Sequence, residues 1–161
     1  MHKVLVFMGS KSDKEEMRPC IDTLKAAGVK PIVRVCSAHR ALKRLIDIVE
    51  KTDAEVIIAG AGLAAALPGD IAAATIKPVI GMPAKNGQLN GFDALLSIVQ
   101  MPPGIPVNTV GISNSKNAAI SALEMLAISD PELQGYLMGL RQTMLEGVIA
   151  ADEEISAEFN S

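Results

Sequence analysis

Aromatic side chains are scarce in this sequence: Phe, Tyr and Trp together make up 2% of the residues, and Trp is absent. Proteins that hold single-stranded nucleic acid stack its bases on aromatic rings. Proteins that bind the phosphate backbone are strongly basic, whereas this chain has 15 Lys and Arg against 18 Asp and Glu, for a net charge of −3. The composition therefore argues against a general nucleic-acid partner.

Cysteine and histidine are also rare, with two of each in the chain. Cys20 and Cys36 are too few for a disulfide scaffold, which favours a reducing, cytoplasmic location. The two histidines, His2 and His39, lie far apart and form no cluster with the cysteines. We therefore expect no metal site.

Long hydrophobic runs are missing as well. The longest apolar stretch without charge lies between Glu55 and Asp70, which is shorter than the ~18 residues that a membrane span needs. The first apolar run stops at Gly9 and does not resemble a signal peptide. With 161 residues, of which 49% are hydrophobic, the chain is expected to form a single soluble domain over residues 1–161, with no membrane contact.

Short apolar runs alternate with helical patterns along the chain. The predicted strands are residues 3–8, 31–35, 55–59, 78–82 and 106–112. The predicted helices lie between Ser12 and Gly28, around residues 42–49, and over residues 92–99 and 115–128, with a segment of small residues at 60–74. Ser12 and Glu15 fit a capping box at the first of these helices. This alternation predicts a parallel five-stranded sheet inside a three-layer αβα fold of the flavodoxin-like or Rossmann-like kind.

A further helix is predicted at the C-terminal end, over residues 130–161. Asp130 and Pro131 are typical of a helix start, and apolar residues then recur every three to four positions from Leu133 to Val148. Because no strand follows, this helix need not pack on the sheet of its own chain. It packs either on its own domain or on a neighbouring subunit, and the pattern alone leaves both open.

Ligands of open parallel sheets bind beyond the carboxyl ends of the strands, so the loops that follow the strands are the candidate site. After the first strand, residues 9–13 read Gly-Ser-Lys-Ser-Asp at a helix start, where free backbone N–H groups favour an anion such as phosphate. After the second strand come Ser37, His39 and Arg40. Imidazole exchanges protons near neutral pH, and guanidinium binds phosphate or carboxylate. His2 is expected to be frayed at the chain end, which leaves His39 as the candidate acid and base.

The loop after the third strand matches the dinucleotide pattern, with Gly60, Gly62 and Ala65 in the glycine positions. The acidic residue that should follow about 20 positions later is absent, so we interpret this loop as a small-residue wall that lets backbone approach a compact ligand. Residues 85–91, Lys-Asn-Gly-Gln-Leu-Asn-Gly, form a polar loop and a candidate lid.

Several motifs, in the same order, resemble those of one enzyme family. They are Gly-Ser-Lys-Ser-Asp at 9–13, Ser-Ala-His-Arg at 37–40, Ala-Gly-Ala-Gly at 59–62, Leu-Pro-Gly at 67–69, Leu-Leu-Ser-Ile-Val-Gln-Met-Pro at 95–102 and Asn-Ala-Ala at 117–119. Together they are similar to the 5-(carboxyamino)imidazole ribonucleotide mutases of purine biosynthesis and the related phosphoribosylaminoimidazole carboxylase catalytic subunits.

The resemblance implies a flavodoxin-like subunit of a homo-octamer, whose C-terminal helices reach neighbouring subunits, and no metal or organic cofactor. It implies an isomerase that moves a carboxylate from the exocyclic nitrogen of an aminoimidazole ribonucleotide to a ring carbon. His39 is the implied acid and base. The implied nucleotide-binding residues are Ser10, Asp13 and Arg40, with Ser12 and Ser37 near the phosphate.

One position departs from the family pattern. The bacterial mutases carry His where this chain has Ala66, and Gly where it has Leu63. The carboxylases that use free carbon dioxide also lack that His, but they carry Lys at the position of Arg40. Three readings therefore remain: a mutase, a direct aminoimidazole ribonucleotide carboxylase, and a non-catalytic nucleotide-binding relative.

Overall fold

A computed structural model describes residues 1–160. Five parallel strands form one sheet in the order β2-β1-β3-β4-β5. The strands are Lys3–Met8 (β1), Lys30–Val35 (β2), Val56–Ala61 (β3), Val79–Pro83 (β4) and Asn108–Thr109 (β5). The helices are Lys14–Ala26 (α1), Ala38–Lys51 (α2), Leu67–Ala73 (α3), Phe92–Val99 (α4), Ser115–Ala127 (α5) and Pro131–Phe159 (α6). This order confirms the predicted flavodoxin-like fold.

Helices cover both faces of the sheet, which is why its central strands are apolar at every position. β3 and β4 are buried throughout, and β1 from its second residue onward. One core lies between the sheet and helices α1 and α5 and includes Met17, Cys20 and Leu123. The other core lies under α2, α3 and α4 and includes Cys36 and Ile98. Both cysteines are therefore buried free thiols on opposite faces of the sheet.

Two predicted elements differ from those observed. β5 is a short edge strand that pairs Asn108 with Ile80 and Thr109 with Gly81, so the prediction over residues 106–112 was too long. The small-residue segment at 60–74 ends in helix α3, which begins with Pro68 in its first turn and buries Leu67 and Ile71. Pro is well suited to the first turn of a helix, because its missing N–H would have no partner there.

Helix α6 has 29 residues, which makes it about 44 Å long. Asp130 caps its N-terminus by accepting hydrogen bonds from the backbone N–H groups of Glu132 and Leu133. Leu133 is buried, and the first turns pack on α5. Further along, the helix exposes apolar side chains: Met138, Met144, Leu145, Val148, Ile149, Ile155 and Phe159.

His2 is held in place, and the expectation that it frays was wrong. Its Nδ1 lies 2.8 Å from Oε1 of Glu55, and its Nε2 lies 2.8 Å from Oδ2 of Asp130. The hydrogen bond with Glu55 raises the pKa of His2, and the one with Asp130 adds to this rise, against a lowering by burial. The pKa of Asp130 is lowered by the backbone N–H of Leu133 and further by His2. His2 thus ties the start of β1 to the start of α6.

No helix within residues 1–160 combines the length and the apolar character needed to cross a membrane.

Candidate functional site

A cavity of about 540 Å³ lies beyond the carboxyl ends of the strands. The chain runs from β1 to β2 on one side of β1 and returns to β3 on the other, and such a switch point leaves a crevice for a ligand. The loops after β1, β2, β3 and β4 all contribute to its lining. We refer to this space as the site cavity.

The first wall of the site cavity comes from the turn after β1. Lys11–Asp13 form a short 3₁₀ helix, and the Oγ of Ser10 accepts a hydrogen bond from the backbone N–H of Ser12 at 3.0 Å. The Oδ2 of Asp13 in turn accepts one from the backbone N–H of Ser10 at 2.9 Å. The capping box therefore consists of Ser10 and Asp13, and the predicted box of Ser12 and Glu15 is wrong. Two overlapping Ser-x-x-acid patterns occur here, Ser10 to Asp13 and Ser12 to Glu15. The 3₁₀ turn begins directly after Ser10, so the first pattern forms the cap.

The second wall comes from the start of α2. Ser37 is the N-cap residue of this helix but makes no side-chain capping bond, so its hydroxyl is not used by the helix. His39 and Arg40 lie in the first helical turn rather than in a loop, and Ala41 departs from helical geometry with φ −149° and ψ 43°. The kink separates this turn from the rest of α2. Ser37 and His39 line the site cavity at this helix start, where free backbone N–H groups favour an anionic ligand.

The third wall consists of apolar, mostly small residues from the end of β3 to the start of α3. Residues 61–67 line the site cavity, and Ala66 is the N-cap residue of α3. Leu63 has a positive φ of 55°, a conformation that costs a residue other than glycine about 1 kcal/mol or more. Ala66 provides no side-chain donor or charge where the resemblance expects an imidazole.

A second cleft of about 450 Å³ adjoins the site cavity and shares Ser10, Ser37 and Arg40 with it. Lys11 and Arg44 also line this cleft. No ion pair within residues 1–160 involves Lys11, Arg40 or Arg44. Three cations without anionic partners next to a hydroxyl-lined helix start are suited to a phosphorylated ligand.

The structure brings all the predicted site residues together. They line the site cavity: Ser10, Ser12, Asp13, Ser37, His39 and Arg40. His39 and Arg40 are exposed at its surface, whereas Asp13 is 4% exposed. This arrangement can hold an anion beside a group that exchanges protons near neutral pH. The individual roles of these residues stay predictions.

Residues 3–147 match the model of the AIR carboxylase family. The N5-carboxyaminoimidazole ribonucleotide mutase of Methanocaldococcus jannaschii is 48% identical over 156 residues, which cover 97% of this chain and 99% of that protein. The protein of the same name from Thermotoga maritima is 43% identical over 152 residues, covering 92% and 89% of the two chains. The chain belongs to the AIR carboxylase family. The crystal structure of Treponema denticola PurE matches with a TM-score of 0.87 and 25% identity, over 96% of this chain and 98% of that one.

In this member of the AIR carboxylase family, the site cavity has one lining residue that sequence reasoning did not single out. Asn86 follows β4 and donates a hydrogen bond from Nδ2 to Oδ1 of Asp13 at 3.1 Å. The sequence contained one signal for it, since Asn86 lies in the polar loop proposed as a lid. Its partner is 73 positions away, so no local pattern connects the two.

Proposed function

We propose that this chain converts N5-carboxyaminoimidazole ribonucleotide to 4-carboxy-5-aminoimidazole ribonucleotide in purine biosynthesis. The observation that carries the proposal is the similarity to mutases of that name over 97% of the chain. The site cavity supports it, because an imidazole, unpaired cations and a hydroxyl-rich helix start line one space.

The ribonucleotide phosphate is proposed to bind at the cationic side of the site cavity. The guanidinium of Arg40 forms charge-assisted hydrogen bonds to phosphate oxygens, and the hydroxyl of Ser37, which makes no capping bond, adds another donor. Ser12, which lines the site cavity in the turn after β1, is proposed to lie near the phosphate as well. Ser10 and Asp13 bind the sugar side of the ligand in this proposal.

His39 is proposed to move the proton that the rearrangement requires. The bond between the exocyclic nitrogen and the carboxylate breaks, carbon dioxide is released within the site, and the nitrogen takes a proton from His39. The ring carbon then attacks carbon dioxide and forms the new carbon–carbon bond, and the proton on that carbon returns to His39. The proton count balances over the cycle, so no cofactor is required.

The small-residue wall is proposed to retain carbon dioxide between these two steps. Residues 61–66 contain no polar side chain and line the site cavity. A wall without hydrogen-bonding side chains does not hold water near the reacting carbon, and it keeps the two fragments close together.

Direct carboxylation of the aminoimidazole ribonucleotide by free carbon dioxide is the second candidate, and Ala66 favours it. An imidazole at this position would donate a hydrogen bond to a bound carboxylate, whereas alanine leaves space for a small neutral molecule. Arg40 and the Gln-Met-Pro sequence at 100–102 favour the mutase instead.

Two parallel reactions distinguish these candidates. One offers the carboxyamino ribonucleotide without bicarbonate, and the other offers the bare aminoimidazole ribonucleotide with bicarbonate. We expect conversion in the first. Conversion only in the second refutes the mutase in favour of the carboxylase, and conversion in neither, with ribonucleotide binding intact, supports a non-catalytic relative. If the missing imidazole limits the mutase, Ala66→His raises activity with the carboxyamino substrate, and Ala64→His, which places an imidazole elsewhere in the same wall, does not.

A cytoplasmic homo-octamer is also part of the proposal. The apolar side chains that α6 exposes beyond its first turns would be covered if this helix packed on neighbouring subunits. Free cysteines at positions 20 and 36 fit a reducing compartment.

A further inference from the structure

Asn86 connects the loop after β4 to the one buried carboxylate of the site cavity. Its Nδ2 donates to Oδ1 of Asp13 at 3.1 Å, and Asp13 is 4% exposed. An amide donor suits this position because it can orient a carboxyl group without adding a charge of its own. A cation here would instead form an ion pair and compete with the ligand for the carboxylate.

The two oxygens of Asp13 are held by different parts of the chain. Oδ2 accepts a hydrogen bond from the backbone N–H of Ser10 at 2.9 Å, inside the capping box. Oδ1 accepts from Asn86 at 3.1 Å and from the hydroxyl of Ser12 at 3.4 Å. The cap fixes one oxygen, and Asn86 therefore decides the direction in which the other oxygen faces.

Glu16 holds the loop that carries Asn86. Its Oε1 accepts a hydrogen bond from the backbone N–H of Lys85 at 2.8 Å and another from the hydroxyl of Ser113. Its backbone carbonyl accepts a third, at 2.6 Å, from the hydroxyl of Ser115, which is 1% exposed. Glu16 thus joins the loops after β4 and β5 to α1, immediately beside Asn86.

Gly62 lies directly against the side chain of Asn86. A Cβ atom at Gly62 would lie 2.7 Å from Nδ2 of Asn86 and 2.9 Å from its Cβ, closer than side chains tolerate. The amide therefore packs directly against the backbone of the loop after β3. With Asp13 in front of it and Gly62 beside it, Asn86 has little freedom to turn away.

We propose that Asn86 is a positioning residue that aims the Asp13 carboxylate at the bound ribonucleotide, and that Glu16 keeps Asn86 in place. This inference rests on the proposed function, because it assigns the oriented oxygen to the ribose hydroxyls of that substrate. Neither residue touches the reacting atoms. Their loss is expected to weaken ribonucleotide binding far more than it slows the chemical step.

Asn86→Asp is the sharpest test, because it keeps the side-chain shape and replaces a donor with a second carboxylate against Asp13. Repulsion between the two carboxylates raises the pKa of one of them. At low pH that group keeps its proton and can still donate to its neighbour, whereas at higher pH both groups are ionised and the contact is lost. We expect KM for the carboxyamino ribonucleotide to increase about 10- to 100-fold at pH 8, the scale of a hydrogen bond to a charged group. The increase should shrink as the pH is lowered to 6, with kcat little changed.

Asn90→Asp is the matched control for this substitution. Asn90 is exposed in the same loop and lies outside the lining of the site cavity. The substitution therefore adds the same charge to the loop without placing it against Asp13. His39 and Arg40 are the other ionisable groups that line the cavity. Dividing each variant's KM by the wild-type value at the same pH removes their contribution. An unchanged KM ratio for Asn86→Asp from pH 6 to 8 would overturn the proposal.

The role of Glu16 is tested by a double-mutant cycle with Asn86. Glu16→Ala and Asn86→Ala should each raise KM about tenfold, and the double variant should be no worse than the more affected single variant, because both changes remove the same contact. Glu16→Gln keeps an acceptor oxygen and should retain near wild-type KM. Glu15→Ala removes the neighbouring exposed carboxylate, which pairs with Arg18, and should have no effect. Additive losses in the double variant would contradict the assigned role of Glu16.

A separate measurement keeps this inference distinct from the proposed function. If the wild-type protein converts no carboxyamino ribonucleotide, the proposed function fails, and kinetics no longer test the role of Asn86. Carboxyl-detected NMR titration of the ligand-free protein still tests the contact between Asn86 and Asp13. In Asn86→Asp, a carboxyl pKa raised above that of wild-type Asp13 supports the assigned contact, and titration at ordinary values for both groups overturns it.

Discussion

The two edges of the sheet use their charged residues in opposite ways. At the amino edge several charges are paired within the chain: the ion pairs are His2–Glu55, His2–Asp130 and Lys3–Asp53, and the Nζ of Lys77 donates to the carbonyls of Thr52 and Ala54. At the carboxyl edge, Lys11, Arg40 and Arg44 take part in no ion pair within residues 1–160.

This difference separates stability from ligand binding. Paired charges at the amino edge neutralise one another and join elements that are far apart in sequence. Unpaired cations at the carboxyl edge repel one another and contribute no attraction until an anion arrives. The two histidines follow the same division, because His2 is held between two carboxylates while His39 lines the site cavity.

The largest effect is expected from His39→Asn. Asparagine retains hydrogen bonding but cannot carry a proton near neutral pH, so turnover of the carboxyamino ribonucleotide should fall about 10²-fold or more, with unfolding unchanged. His2→Asn is the control at the other edge and should leave turnover intact. Steady-state kinetics and thermal unfolding check both variants, and wild-type turnover in His39→Asn would exclude its acid–base role.

Arg40→Ala tests the unpaired cations. Loss of a charge-assisted hydrogen bond to phosphate should weaken product binding by about 10- to 100-fold, and the unfolding transition should not move. Lys43→Ala removes an exposed cation from the same helix, outside both clefts, and should leave affinity unchanged. Isothermal titration calorimetry measures the difference. Equal affinities for the wild-type protein and Arg40→Ala would assign Arg40 a structural role.

Helix α6 begins at the amino edge, and its removal tests whether this helix is needed for assembly. Deletion of residues 130–161 takes away the exposed apolar side chains of this helix and the carboxylate that holds His2, and it should lower the oligomer order. Val148→Glu is a milder variant, because Val148 is 68% exposed and lies far from the helix start. Sedimentation velocity compares the three proteins. A wild-type protein that sediments as a stable monomer would contradict the proposed octamer.

The smallest effect is expected from the pH dependence of the His2 bridge. The folded-state pKa of His2 is raised above 6.5. The contribution of His2 to the stability of the folded protein is therefore complete below that pH and is lost as the pH rises through the folded-state pKa. Asp130 has a pKa lowered from 3.8, so its share is present above that value and is lost as the pH falls through the folded-state pKa. Denaturant unfolding of the wild-type protein and His2→Asn should differ more at pH 5 than at pH 8. A difference that grows with pH would contradict this sign.

The sequence predicted those parts of the fold that are governed by local pattern. The limits of β1 at residues 3–8 and of α4 at residues 92–99 agree with the predictions, since a continuous apolar run and a helical repeat each mark them. β5 was predicted too long because its apolar run continues beyond the two residues that bridge to β4. Helix α3 was not predicted, because its small residues and Pro68 form no amphipathic repeat.

The candidate site was predictable as a set of residues but not as a network. Parallel strands bring the loops after them to one edge, so Ser37 and His39 were expected near Ser10, as observed. Contacts between distant residues carry no local signal. His2 meets Asp130 across 128 positions, and Asn86 meets Asp13 across 73, so only the folded chain reveals them.

The two buried thiols make the layers of this fold separately observable. Cys20 lies in the core beneath α1, and Cys36 lies in the core on the opposite face. Burial raises the pKa of the Cys20 thiol to about 12, so a thiol-modifying reagent reacts with it only after its layer has opened to water. The rates of modification at the two positions therefore record whether one covering layer of helices detaches before the other.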